Sequence, residues 1–106
     1  MNTELHSTLL GRWRLDQDDR GAVERYGNTR LEFRKDGTLL YTIVGSQKDE
    51  IALLRFRVEG NVLVTDQPSA PREERTQFEI GADDRLFLND DHGGVHYLRV
   101  VAETDV

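Results

Sequence analysis

Cysteine is absent from the chain, which removes a disulfide framework, thiolate metal sites and a cysteine nucleophile together. Lysine is almost absent too: Lys35 and Lys48 stand alone among basic side chains that are otherwise arginine. Basic residues are also outnumbered, 14 Lys and Arg against 20 Asp and Glu, for a formal net charge of -6 at pH 7. That balance argues against general nucleic-acid binding, which leaves a basic footprint, and against adhesion to anionic membrane surfaces. No apolar run approaches the length of a membrane-spanning helix, and the polar segment 1–7 lacks the apolar stretch of a secretion signal, so a cytoplasmic protein is expected. Helical periodicity is missing beyond one short turn over Ser7–Leu10, where Ser7 is placed to cap and Gly11 to terminate.

What is present is alternation. Hydrophobic residues make up only 37% of the 106 residues and charged ones 32%, but the apolar positions fall at every second residue over short runs, as half-buried strands require. Trp13 and Leu15 alternate with Arg12 and Arg14, and Leu31 and Phe33 with Arg30, Glu32 and Arg34. The same holds for Leu39, Tyr41 and Ile43, for Leu54, Phe56 and Val58, and for Thr76, Phe78 and Ile80. Shorter strands are expected at Val62–Val64 and around Leu86 and Leu88, and a final one at Val95–Val101. Asp36-Gly37 and Gly60-Asn61 supply the positive-φ chemistry of tight hairpin turns, residues 81–84 and 90–94 read as further turns, and Pro68 and Pro71 bracket a loop. Residues 16–29, polar and containing Gly21 and Gly27, read as a long loop. The pattern predicts one all-β domain over residues 1–106. Its architecture is an antiparallel up-and-down barrel of about eight strands with a short N-terminal helical turn.

Gly11-x-Trp13 opens the first strand and Tyr97-Leu98-Arg99 lies on the last. A Gly-x-Trp after a short helical turn, joined with an arginine on the final strand, resembles the lipocalin pattern. Phe33-Arg34-Lys35-Asp36-Gly37-Thr38-Leu39 and Gly60-Asn61-x-Leu63 resemble segments of small bacterial lipocalin-like domains. The resemblance implies a barrel in which the tryptophan sits at the closed end and the arginine packs across it. Gly11, Trp13 and Arg99 are then the closure residues, with Trp13 stacked on Arg99. The chain is far shorter than true lipocalins and lacks their disulfides and the Thr-Asp-Tyr motif of a middle loop.

The inward parity collects Trp13, Leu15, Leu31, Phe33, Leu39 and Tyr41, then Ile43, Leu54, Phe56, Val58, Phe78, Ile80, Leu86, Leu88 and Tyr97. These are bulky residues on short strands, so the interior is expected to be mostly filled, with at best a small cavity at the open end. A small apolar or amphipathic ligand there would be lined by Tyr26, Tyr41, Phe56 and Tyr97. On the opposite parity, Leu40, Val44, Leu53, Phe87 and Leu98, with Ile51 and Val100, break the expected polar face. They raise a second reading, a filled barrel that serves as a protein-interaction or homodimerisation module.

Catalytic chemistry finds little support. Asp90-Asp91-His92-Gly93-Gly94-Val95-His96 gathers metal-ligating side chains, but its aspartates and glycines are what a hairpin turn selects. Asp83-Asp84 and the Asp16-x-Asp18-Asp19 run lack the spaced acidic loop of a calcium site. Ser7, Ser46 and Ser69 lack a glycine-flanked elbow, and Arg55 and Arg57 read as an outward face paired with glutamates. No enzymatic activity, metal or cofactor is expected.

Overall fold

The computed structural model describes residues 7–68, 72–81, 83–90 and 93–100, with Asp90 described by its backbone alone. Pro71, Ser69, Asp91, His92 and the end of the expected last strand at Val101 lie outside the described residues.

Each alternating run forms a strand: β1 (Gly11–Leu15), β2 (Thr29–Phe33), β3 (Thr38–Ile43), β4 (Glu50–Glu59), β5 (Val62–Asp66), β6 (Glu74–Ile80), β7 (Arg85–Asp90) and β8 (Gly93–Arg99). They pair in sequence order into one closed antiparallel barrel, with β8 returning to β1. The closing register sets Trp13 opposite Arg99 and Leu15 opposite Tyr97, while Gly11 faces Phe33 on the other side of β1. The hairpin between β2 and β3 is locked by Asp36, whose carboxylate accepts the Thr38 N–H at 3.0 Å and hydroxyl at 2.6 Å, with Gly37 at φ 88°.

Period-two alternation predicts the core because one strand face is buried. Trp13, Leu15, Leu31, Phe33, Leu39, Phe56, Phe78, Leu86 and Tyr97 are all buried, and Tyr41, Leu54, Val58, Ile80 and Leu88 pack against them. Ile43, also expected inside, is 39% exposed because it is the last residue of β3, at the rim. Leu63 and Val95 join the core. Val64 is buried on the outer face instead, opposite Arg57 and Arg75. These two arginines bridge Glu59 and Glu73 at 2.7–3.0 Å, so their stems shield it.

Three local expectations are corrected. Residues 16–29 are not a continuous loop but carry a helix, α1 (Arg20–Tyr26). Asp19 caps it by accepting the Ala22 N–H, and Gly27 ends it at φ 70° while donating to the Val23 carbonyl. A helix of seven residues is too short to stand alone or to show a periodic stripe. It forms because Ala22 is completely buried and Val23 and Tyr26 pack on the barrel core. Ser7, for its part, lies within the N-terminal helical turn rather than capping it. The β7–β8 connection is also shorter than expected, since Asp90 and Gly93 are themselves paired strand residues.

Candidate ligand cavity

The two ends of the barrel differ. At one end the N-terminal turn lies across the opening and is held from inside. The Trp13 indole N–H donates to the Leu9 carbonyl at 2.9 Å, and the ring is fully buried. Arg99 lays its guanidinium 4.2 Å from the centre of that ring. The same guanidinium donates to the carbonyls of Leu10 at 3.0 Å and Thr8 at 2.6 Å, and meets the Asp84 carboxylate at 3.2 Å. Gly11 sits beneath it at φ +118°, where a Cβ would come within 3.2 Å of Arg99 Nη1. Conformation and space thus both call for glycine there. Gly11, Trp13 and Arg99 form one contact, and it seals this end.

At the other end a cavity of about 710 Å³ enters the barrel. It is larger than the small cavity expected at the open end of a mostly filled interior, and it extends outward over the residues that enter β6. Trp13, Phe56 and Phe78 do not line it, whereas leucine, valine and threonine share its wall with Phe33 and three tyrosines. Of the residues expected to contact a ligand, Tyr26, Tyr41 and Tyr97 are on the cavity wall. Phe56 is not; it packs edge-on against Phe33 with ring centres 5.0 Å apart. The Tyr97 hydroxyl is 3.0 Å from the Thr29 hydroxyl in a buried contact, which satisfies part of the polarity that two interior tyrosines introduce.

α1 lies over part of the opening and is fastened to β8. Asp19 accepts the His96 N–H at 3.1 Å and faces His96 Nδ1 at 3.0 Å, and Arg25 donates to the Gly94 carbonyl at 3.1 Å. On the same outer face Phe87 tilts against His96 with ring centres 4.7 Å apart, and a Cβ on Gly94 would land within the Phe87 ring. Just before α1, Asp16 accepts from Arg85 at 2.6 Å and from the Asp18 N–H at 3.0 Å. The Asp18 N–H bond holds the Asp16 carboxyl below its ordinary value of 3.8, burial opposes it, and the Arg85 hydrogen bond and charge reinforce it. Burial pushes Asp19 the other way, but hydrogen bonds from the His96 ring, the His96 N–H and the Ala22 N–H bring it below 3.8 in balance.

The pocket wall also carries residues not expected to contact a ligand: Thr65, Thr76, Asn89 and the Arg72, Glu73, Glu74 and Arg75 run, which reads in the sequence as a mixed-charge loop beside Pro71. One signal was available, since Glu74 and Thr76 share the parity of Phe78 and Ile80. The expected interface residues fall into two separate patches. Leu40, Val44 and Leu53 lie on the outer face of β3–β4, where Leu40 pairs with Leu53. Phe87 and Leu98 lie on β7–β8 across the barrel, Leu98 between Arg14 and Arg85. His96 is engaged with Asp19, and no group of three or more His, Cys, Asp or Glu positioned to hold a metal occurs among the described residues. No described helix is long and apolar enough to cross a membrane.

No family model and no curated protein sequence matches this chain.

Proposed function

We propose that this protein is a non-enzymatic, lipocalin-like binding protein that holds a small apolar or amphipathic ligand in the open half of its barrel. The observation that carries this reading is the cavity. Its volume of about 710 Å³ falls in the range of roughly 300–1,000 Å³ typical of small-molecule sites. Its apolar wall is made of Leu31, Leu39, Leu54, Leu63, Leu88 and Val95 with the rings of Phe33, Tyr26, Tyr41 and Tyr97. Such a wall gains about 25 cal/mol for each Å² of apolar ligand surface it removes from water. Likeness to lipocalins in the Gly11-x-Trp13 and Arg99 closure points the same way.

Native mass spectrometry of freshly purified protein, followed by thermal shift with fatty acids and aromatic compounds, tests it. A ligand at a hundredfold excess over Kd stabilises by about 2.7 kcal/mol. Leu54→Trp and Val95→Phe, which place bulk in the cavity, are expected to abolish that shift while the ligand-free proteins still melt cooperatively. An unadorned mass with no shift across the panel overturns the reading.

A second reading, homodimerisation, is favoured by one observation. Among the described residues, the exposed large hydrophobic ones, Ile43, Ile51 and Leu53, all belong to the β3–β4 hairpin. Light scattering decides it: this reading expects a dimer that Leu53→Glu dissociates, and a monomer at high concentration sinks it.

A further inference from the structure

The cavity is asymmetric in charge, and this bears on which amphiphile it takes; the argument rests on the binding function proposed above. Among the described residues, every charged one on the cavity wall comes from one segment, Arg72, Glu73, Glu74 and Arg75, where the chain enters β6. The deeper wall offers hydroxyls and apolar surface but no charge. Arg99, which points inward at the sealed end, is engaged with Asp84 and two carbonyls and is not on that wall. A charged group buried head-first would therefore lose its hydration without a partner of opposite sign, a cost no apolar contact offsets. An amphiphile must enter tail-first and leave its head at the rim.

Of the four rim charges, Glu73 and Arg75 are committed to the outer face, paired with Arg57 and Glu59 at 3.0 and 2.9 Å. Arg72 and Glu74 remain facing the mouth. Their contact is loose, 3.7 Å, with side chains 81% and 61% exposed, so either can turn to a ligand at little cost. The Asp66 carboxylate accepts the Arg72 N–H at 2.8 Å, which pins this segment to the end of β5. Glu74 is opposite Thr65, itself a wall residue. One cation and one anion thus stand side by side at the entrance to an apolar chamber. We infer that Arg72 and Glu74 are specificity-determining residues that select a single-chain amphiphile with a zwitterionic head, each charge of the head meeting its opposite on the rim.

Isothermal titration calorimetry with four dodecyl amphiphiles below their critical micelle concentrations tests this. The set is dodecylphosphocholine, dodecanoate, dodecyltrimethylammonium and dodecyl maltoside. Dodecylphosphocholine should bind tightest, by about two- to fivefold, the range expected of solvent-exposed charge pairs. Glu74→Gln should shift the preference toward dodecanoate, and Arg72→Gln toward dodecyltrimethylammonium. Both side chains are exposed, so neither change endangers the fold. Equal affinities for all four heads, or a preference that neither variant alters, overturns the rim assignment and leaves the cavity reading standing. No binding of any dodecyl chain overturns the rim assignment, and the wider panel of fatty acids and aromatic compounds decides the cavity reading separately.

Discussion

Trp13 and Arg99 show how two side chains do several jobs at once. The indole fills the base of the barrel, and its N–H holds the N-terminal turn by the Leu9 carbonyl. The guanidinium covers the ring, holds the same turn by two more carbonyls and is itself held by Asp84. Asp84 adopts φ 60°, the single non-glycine residue with positive φ among the described residues, and so gives this carboxylate its position at the turn before β7. Because the ring is wholly buried, Trp13→Ala is expected to cost about 3–5 kcal/mol in urea denaturation. Arg99→Met keeps an apolar stem over the ring but loses the charge and its hydrogen bonds. It should cost less, about 2 kcal/mol for a partly desolvated cation–π contact. A loss below 1 kcal/mol for Trp13→Ala would mean that this end is not the packed one.

At the scale of elements, the strands were legible and the helix was not, for one physical reason. A strand declares itself in four or five residues because its period is two, and Arg30-Leu31-Glu32-Phe33-Arg34 or Leu54-Arg55-Phe56-Arg57-Val58 suffices. A single helix of two turns offers only Ala22, Val23 and Tyr26, with Gly21 lowering its intrinsic propensity. Its stability comes from contacts distant in sequence, above all Asp19 with His96 and Arg25 with Gly94. The cavity was half legible: Tyr41 and Tyr97 follow from strand parity, whereas its size depends on how side chains from all eight strands fill the interior, which no single strand reveals. The fastening of α1 leads to a prediction about pH. Asp16 and Asp19 have folded-state values below 3.8, so their contribution to stability is present above the unfolded value and is lost as pH falls through the folded one. Acid titration should loosen α1 below about pH 4, and Asp19→Asn should flatten that part of the stability profile. Hydrogen exchange of the Val23 and Gly27 amides reads the same element directly. His96→Ala should speed it, whereas unchanged rates would show that α1 does not depend on β8.

For the whole molecule, closure at one end and vacancy at the other are two sides of one distribution of volume. Trp13, Phe56 and Phe78 pack away from the chamber, aliphatic residues with Phe33 and three tyrosines line it, and α1 and the Arg72–Glu74 rim stand at its mouth. The central claim is that this chamber, rather than the outer sheet, is the working surface. An amide-resolved NMR titration with dodecylphosphocholine below its critical micelle concentration tests it most directly. The account predicts shifts at Tyr26, Leu54, Glu74 and Val95 with the Trp13 indole N–H unmoved. Shifts confined to the outer β3–β4 residues Ile51 and Leu53, or no shifts at all, would contradict it.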